Sequence, residues 1–183
     1  KPVVLVLGGS QGAQPINEAI IKILPKLLQR AQVIHQTGER NYERVIKMAG
    51  EVGIKAKKEG YYPIKFLEEE IQRDAYALAD MVISRSGANS IADIASNAKP
   101  AILIPLSKSA NDHQRMNAYE IAKVGGAIVL EEDNLGESLL LKKIETVLDD
   151  KELKEKMVER IKAFYHPHAS ELIAQGIIDL VNR

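Results

Sequence analysis

The hexapeptide Gly8-Gly9-Ser10-Gln11-Gly12-Ala13 lies between an apolar run, Val3 to Leu7, and a helical pattern that opens at Ile16. Small side chains leave backbone N–H groups uncovered, and a helix N-terminus adds unpaired donors and partial positive charge. Ser10, Gln11, Gly12 and Ala13 therefore suit a phosphate or diphosphate. The spacing is not G-x-G-x-x-G and no Gly-Lys-Ser/Thr closes the loop, so NAD binding and P-loop hydrolysis both lose ground. A tight strand-to-helix turn with no ligand would use the same glycines.

The stretch Ser84 to Asp93 repeats this arrangement after Met81-Val82-Ile83. Gly87 permits a close backbone approach, Ala88, Asn89 and Ser90 are small and partly polar, and Asp93 falls one helical turn beyond Ser90 on the same side. A carboxylate there can accept hydrogen bonds from a ribose diol. Taken alone, the stretch reads better as a helix start, with Ser86 or Asn89 as N-cap and Asp93 as dipole partner. A third stretch, Pro105 to Asn117, follows Ala101–Ile104 and is long and polar for such a connection. Asp112 reads as an N-cap, which places His113 and Gln114 in the first turn, able to face sugar hydroxyls, with Asn117 four residues on. His166 and His168 flank Pro167 and read as turn residues, since no carboxylate spacing beside them supports a metal site.

Composition narrows the field. The 183 residues fit one domain, with 45% hydrophobic residues to build a core and a formal net charge of zero. With no cysteine, disulfides and thiol chemistry are excluded. Balanced charge, two Phe and no Trp leave no basic, aromatic-rich surface for nucleic acid. Lys55, Lys57 and Lys58 read as a solvated lead-in to a strand. No apolar run approaches the roughly 20 residues that span a bilayer, and a cytoplasmic setting is expected.

The elements that must position these loops alternate. Short β-rich runs fall near Val3–Leu7, Val33–Gln36, Ala56–Tyr61, Met81–Ser84, Ala101–Ile104 and Ala127–Leu130, with helices between. That pattern predicts an α/β fold, a parallel sheet of about six strands with helices on both faces and ligands at the carboxyl ends of the strands. The first helix carries Ile16, Ala19, Ile20, Ile23, Leu24, Leu27 and Leu28 on one face, and Pro25 is expected to kink it. From about residue 137 the chain reads as helical, with Glu137–Leu148, Lys151–Ala163 and Ala169–Val181 packing as a C-terminal region of the single domain 1–183.

The ordered set Gly8-Gly9-Ser10-Gln11-Gly12-Ala13, Ser84-Arg85-Ser86-Gly87-Ala88, Lys99-Pro100-Ala101 and Asp112-His113-Gln114 with Asn117-Ala118 resembles the MurG-like GT-B glycosyltransferases along essentially the whole chain. These are the N-acetylglucosaminyltransferases of peptidoglycan lipid intermediates. The similarity is to their carboxyl-terminal half, one of two Rossmann-like domains, which holds UDP-N-acetylglucosamine. The resemblance implies that Ser10 and its neighbours hold the diphosphate and that the backbone at Leu67, after Phe66, pairs with uracil. It also implies that Ala88 to Asp93 line diphosphate and ribose, and that Gln114 with His113 contacts sugar hydroxyls. It further implies inverting displacement without metal or other cofactor. The acceptor is lipid-linked, is reached through an amino-terminal domain that also carries the base, and the full-length enzymes are peripheral on the inner face of the membrane. The isolated chain would then bind donor without completing transfer.

Two features depart from the family pattern or belong to another class. Asp93 stands where the family commonly has Glu, one methylene shorter. UDP-sugar 2-epimerases share the architecture, but their pattern resembles Asp-Ser-Gly-Gly followed by Gln-Glu-Glu, and here Ser84-Arg85-Ser86-Gly87 leads to Ala88-Asn89-Ser90. A soluble subunit of a split N-acetylglucosaminyltransferase and a non-catalytic uridine-nucleotide-binding module remain as the other readings.

Overall fold

Alternation within the first strand, β1 (Val3–Leu7), sets the layering: Val4 and Val6 join one apolar cluster, Leu5 and Leu7 another. A strand buried on both faces belongs inside a parallel sheet. The computed structural model describes residues 1–9, 12–107, 109 and 112–181, and in it five further strands complete that sheet. They are β2 (Gln32–Gln36), β3 (Tyr61–Ile64), β4 (Met81–Ser84), β5 (Ala101–Leu103) and β6 (Ile128–Val129). All pairings are parallel and the order is β3-β2-β1-β4-β5-β6, as the α/β alternation predicts.

One face is covered by α1 (Gln14–Arg30), α2 (Tyr42–Glu51) and α6 (Glu137–Asp149), which bury Ile20, Leu24, Val45 and Ile144 against Val4, Val33 and Ile102. The other face carries α3 (Glu69–Leu78), α4 (Ala88–Ser96) and α5 (His113–Lys123), with Tyr76, Ile94 and Ile121 against Leu5, Val82 and Leu103. The predicted apolar stripe of α1 is buried throughout, and the helix runs unbroken through Pro25. α7 (Lys151–Ile161) contributes Met157 to one cluster and Ile161 to the other. The last helix, α8 (Ala169–Val181), buries none of its residues, and Leu172, Ile173 and Leu180 are each at least 65% exposed.

The strand expected at Ala56–Tyr61 lies later, at Tyr61–Ile64. Lys57 and Glu59 adopt positive φ and Gly60 follows at +91°, so 57–60 form a turn and the extended segment starts only at Tyr61. β3 is an edge strand, which is why it tolerates Pro63, a residue with no N–H to give a second neighbour.

Candidate active site

Strand order reverses between β1, whose next neighbour is β2, and β4, whose next neighbour is β5. Connections leaving the carboxyl ends of β1 and β4 therefore diverge, and a cleft opens between them. Its volume is 540 Å³, and its walls include Gly8, Gly9, Gly12 and Ala13 after β1, and Arg85 and Gly87 after β4.

Local geometry fixes the first wall. Gly12 N–H donates to the Gly9 carbonyl at 3.0 Å, closing a tight turn in which Gly9 and Gly12 have φ of +80° and +75°. A Cβ at Gly12 would lie 2.1 Å from the Thr37 carbonyl oxygen, so glycine is needed for packing against the end of β2 as well as for φ. Beneath this turn lies a buried relay. Asn17 Nδ2 donates to the Thr37 carbonyl at 2.9 Å, which leaves Asn17 Oδ1 to accept from His35 Nε2 at 3.0 Å. His35 Nδ1 then accepts from the Tyr61 hydroxyl at 3.0 Å, so the ring is neutral with its proton on Nε2. Burial pushes the His35 pKa down to about 3. Gln36 ties two loops together, donating to the Gly9 carbonyl at 3.0 Å and accepting from Leu67 N–H at 3.2 Å.

The second wall is the start of α4, where Gly87 is the N-cap and supplies no side chain. Neither α1 nor α4 has an acidic residue in its first turn, so both N-terminal dipoles reach the cleft uncompensated. Arg85 is the cationic side chain among the described lining residues. Its guanidinium donates to the Ile104 and Pro105 carbonyls at 3.2 Å each and pairs with Glu132, which commits its charge. Ser86 Oγ donates to the Gln114 carbonyl at 2.7 Å, Asn117 Nδ2 donates to the Ser86 carbonyl at 3.2 Å, and Leu106 N–H donates to Gln114 Oε1 at 3.1 Å. These bonds hold the loop after β5 against the loop after β4. On the remaining side, Asp93 Oδ2 accepts from Gln72 Nε2 at 3.0 Å. Burial raises the Asp93 carboxyl above the usual range, and the Gln72 bond partly offsets this.

Of the residues singled out from sequence, Gly12, Ala13, Gly87, Asn89, Ser90, Asp93 and Gln114 line this one cleft. Ser10 and Gln11 lie outside the described residues. Ala88, exposed in the first turn of α4, is not part of the lining. Leu67 is 1% exposed, its N–H is already taken by Gln36, and its side chain faces a separate apolar cavity. It is Phe66, 51% exposed, that reaches the cleft. His113 is exposed beside Gln114 and does not line the cleft. Asp112 is the N-cap of α5 by position, but φ is +58° and its carboxylate bonds Arg115 at 3.3 Å instead of capping. Sequence reasoning gave no role to Gln36, Gln72, Tyr76 or Leu106, which also line the cleft. His166 and His168 stay exposed, with His168 Nδ1 3.0 Å from Glu171.

A parallel Rossmann-like sheet with an anion-compatible cleft at its switch point is the architecture of one half of a GT-B enzyme. The chain belongs to the glycosyltransferase family 28 C-terminal domain family, whose description matches residues 3–173. Its relatives include proteins named UDP-N-acetylglucosamine--N-acetylmuramyl-(pentapeptide) pyrophosphoryl-undecaprenol N-acetylglucosamine transferase. That of Halothermothrix orenii is 38% identical over 181 residues, covering 98% of this chain and 48% of the relative. That of Chlorobaculum tepidum is 35% identical over 181 residues, covering 98% and 47%. The chain thus spans about half the length of the curated relatives it matches. The solved structure of Acinetobacter baumannii MurG aligns with a TM-score of 0.77 at 27% identity, over all of this chain and 50% of that one. A UDP co-structure of S. aureus MnaA aligns at 0.74 with 16% identity, over all of this chain and 47% of that one, and shares the fold.

Proposed function

We propose that this chain is the donor half of an inverting, metal-independent N-acetylglucosaminyltransferase of peptidoglycan lipid-intermediate synthesis, and that its cleft holds UDP-N-acetylglucosamine. The observation that carries the reading is the convergence of two helix N-termini, α1 and α4, on one cleft at the switch point, with no acidic residue in either first turn. The relatives' names supply the donor and the reaction.

In the reaction, an acceptor hydroxyl oxygen forms a bond to the anomeric carbon as the bond from that carbon to the diphosphate oxygen breaks. UDP leaves with the electron pair, and a base on the missing half takes the hydroxyl proton. Negative charge grows on the diphosphate in the transition state, so main-chain donors at the Gly8–Ala13 turn and at the start of α4 stabilise that state more than the ground state. Arg85 contributes by bracing the loops after β4 and β5, its own charge being balanced by Glu132. Asp93 and Gln114 line opposite ends of the chemistry, the first for the ribose and the second for the sugar.

The acceptor, a lipid-linked muramoyl pentapeptide, belongs to an amino-terminal domain outside this chain, so transfer requires both halves. No helix among the described residues is long and apolar enough to cross a membrane, and we place the enzyme in the cytoplasm, peripheral on the inner membrane face. Calorimetric titration with UDP, ADP and NAD, with EDTA throughout, tests the reading. Uridine-selective binding in EDTA is expected; equal affinity for ADP, or binding only when a divalent cation is restored, contradicts it.

A further inference from the structure

We propose that Gln72 is a specificity-determining residue of the cleft, paired with Asp93 to read the cis-diol of the nucleotide's ribose. The proposal rests on the donor-site reading above. Gln72 projects from α3 and Asp93 from α4, two helices on the same face of the sheet, and their side chains meet at 3.0 Å in the cleft wall. The amide must present Nε2 to the carboxylate, because turning Oε1 toward it would set acceptor against acceptor. Gln72 Oε1 and Asp93 Oδ1 are thereby left as acceptors, and neither oxygen has a bond to any described residue. Two such acceptors on partly buried side chains match a ligand that offers two adjacent O–H donors.

Tyr76, 1% exposed in the same wall, has a hydroxyl with no partner among the described residues and lies close enough to Asp93 to feel its charge. Asp93 alone offers one free oxygen, and Gln72 supplies the second from α3.

The test is titration of the wild-type chain and of Gln72→Met and Gln72→Ala with UDP, 2′-deoxy-UDP and 3′-deoxy-UDP, with thermal midpoints measured alongside. Met keeps the unbranched length of Gln and removes its polar atoms. The wild type is expected to prefer UDP over at least one deoxy analogue by about tenfold, the worth of a hydrogen bond to a charged or well-placed acceptor. Both variants should narrow that preference to roughly twofold, with Gln72→Met leaving the thermal midpoint unchanged. A preference that survives in both variants would reduce Gln72 to a cross-link between α3 and α4 and overturn the proposal alone, as would a wild type that binds UDP and both analogues equally. A wild type that binds no uridine nucleotide would overturn this proposal together with the reading on which it rests.

Discussion

Replacing His35 with glutamine should flatten the acid side of the protein's stability curve. The imidazole is fully buried between Tyr61 and Asn17, and burial holds its pKa at about 3 against an ordinary 6.5. Below pH 6.5 the unfolded chain takes up a proton that the folded chain refuses, so unfolding becomes easier as pH falls. The stability at stake is fully present above the unfolded pKa and drains away as pH falls toward 3, by about 1.4 kcal/mol for each pH unit. Between pH 7 and pH 5 the loss amounts to about 2 kcal/mol. Carboxylates also titrate near this window, but they are common to both proteins and cancel in the difference. Urea denaturation followed by circular dichroism, at pH 7 and pH 5 for wild type and His35→Gln, measures that difference directly. The variant will be less stable at pH 7, having lost a satisfied buried ring, yet should lose about 2 kcal/mol less than wild type on acidification. Equal losses in the two proteins would refute the buried neutral histidine and the relay built on it.

Gly12→Ala should cost about 2 kcal/mol or more in ligand-free stability, because the new Cβ falls 2.1 Å from the Thr37 carbonyl oxygen at a φ of +75°; an unchanged thermal midpoint would contradict this. Arg85→Ala should destabilise by about 3 kcal/mol or more, since it strands Glu132, 14% exposed at its side chain, and frees two buried carbonyls. The double variant Arg85→Ala with Glu132→Ala should cost less than the single in the same denaturation assay, and a larger loss in the double would contradict the pairing. Gln114→Ala should weaken UDP-N-acetylglucosamine by several-fold while barely affecting UDP, by calorimetry; equal losses for both ligands would remove Gln114 from the sugar site.

Much of this architecture was legible in the chain because apolar runs and small-residue loops are local signals. The buried stripe of α1, the strand at Met81–Ser84 and the glycine turn at Gly8–Gly12 each declare themselves within a dozen residues. β3 did not, because the deciding facts were the backbone signs at Lys57 and Glu59, residues with no strong turn preference, and because Pro63 disguises a strand that only an edge position allows. Part of the cleft was hidden for a different reason. Gln36, Phe66, Gln72 and Tyr76 reach it only because β2 and β3 fold back beside β1 and because α3 lies against α4, and residue spacing carries no trace of that ordering. One signal was available: His35 and Gln36 are polar residues that directly follow the apolar pair Val33-Ile34, and a polar side chain that the sheet buries must have a partner. Leu67 illustrates the converse, a position taken from family resemblance whose N–H the fold has already committed to Gln36.

Glycine amides provide the most direct test of the central claim, that the cleft between β1 and β4 is the nucleotide-sugar site. With the chain labelled with nitrogen-15 only at glycine, titration with UDP-N-acetylglucosamine in EDTA should shift Gly8, Gly9, Gly12 and Gly87, which line the cleft, and leave Gly53, Gly136 and Gly176 where they are. Saturating shifts confined to glycines outside the cleft, or no shifts at any ligand concentration, would contradict it.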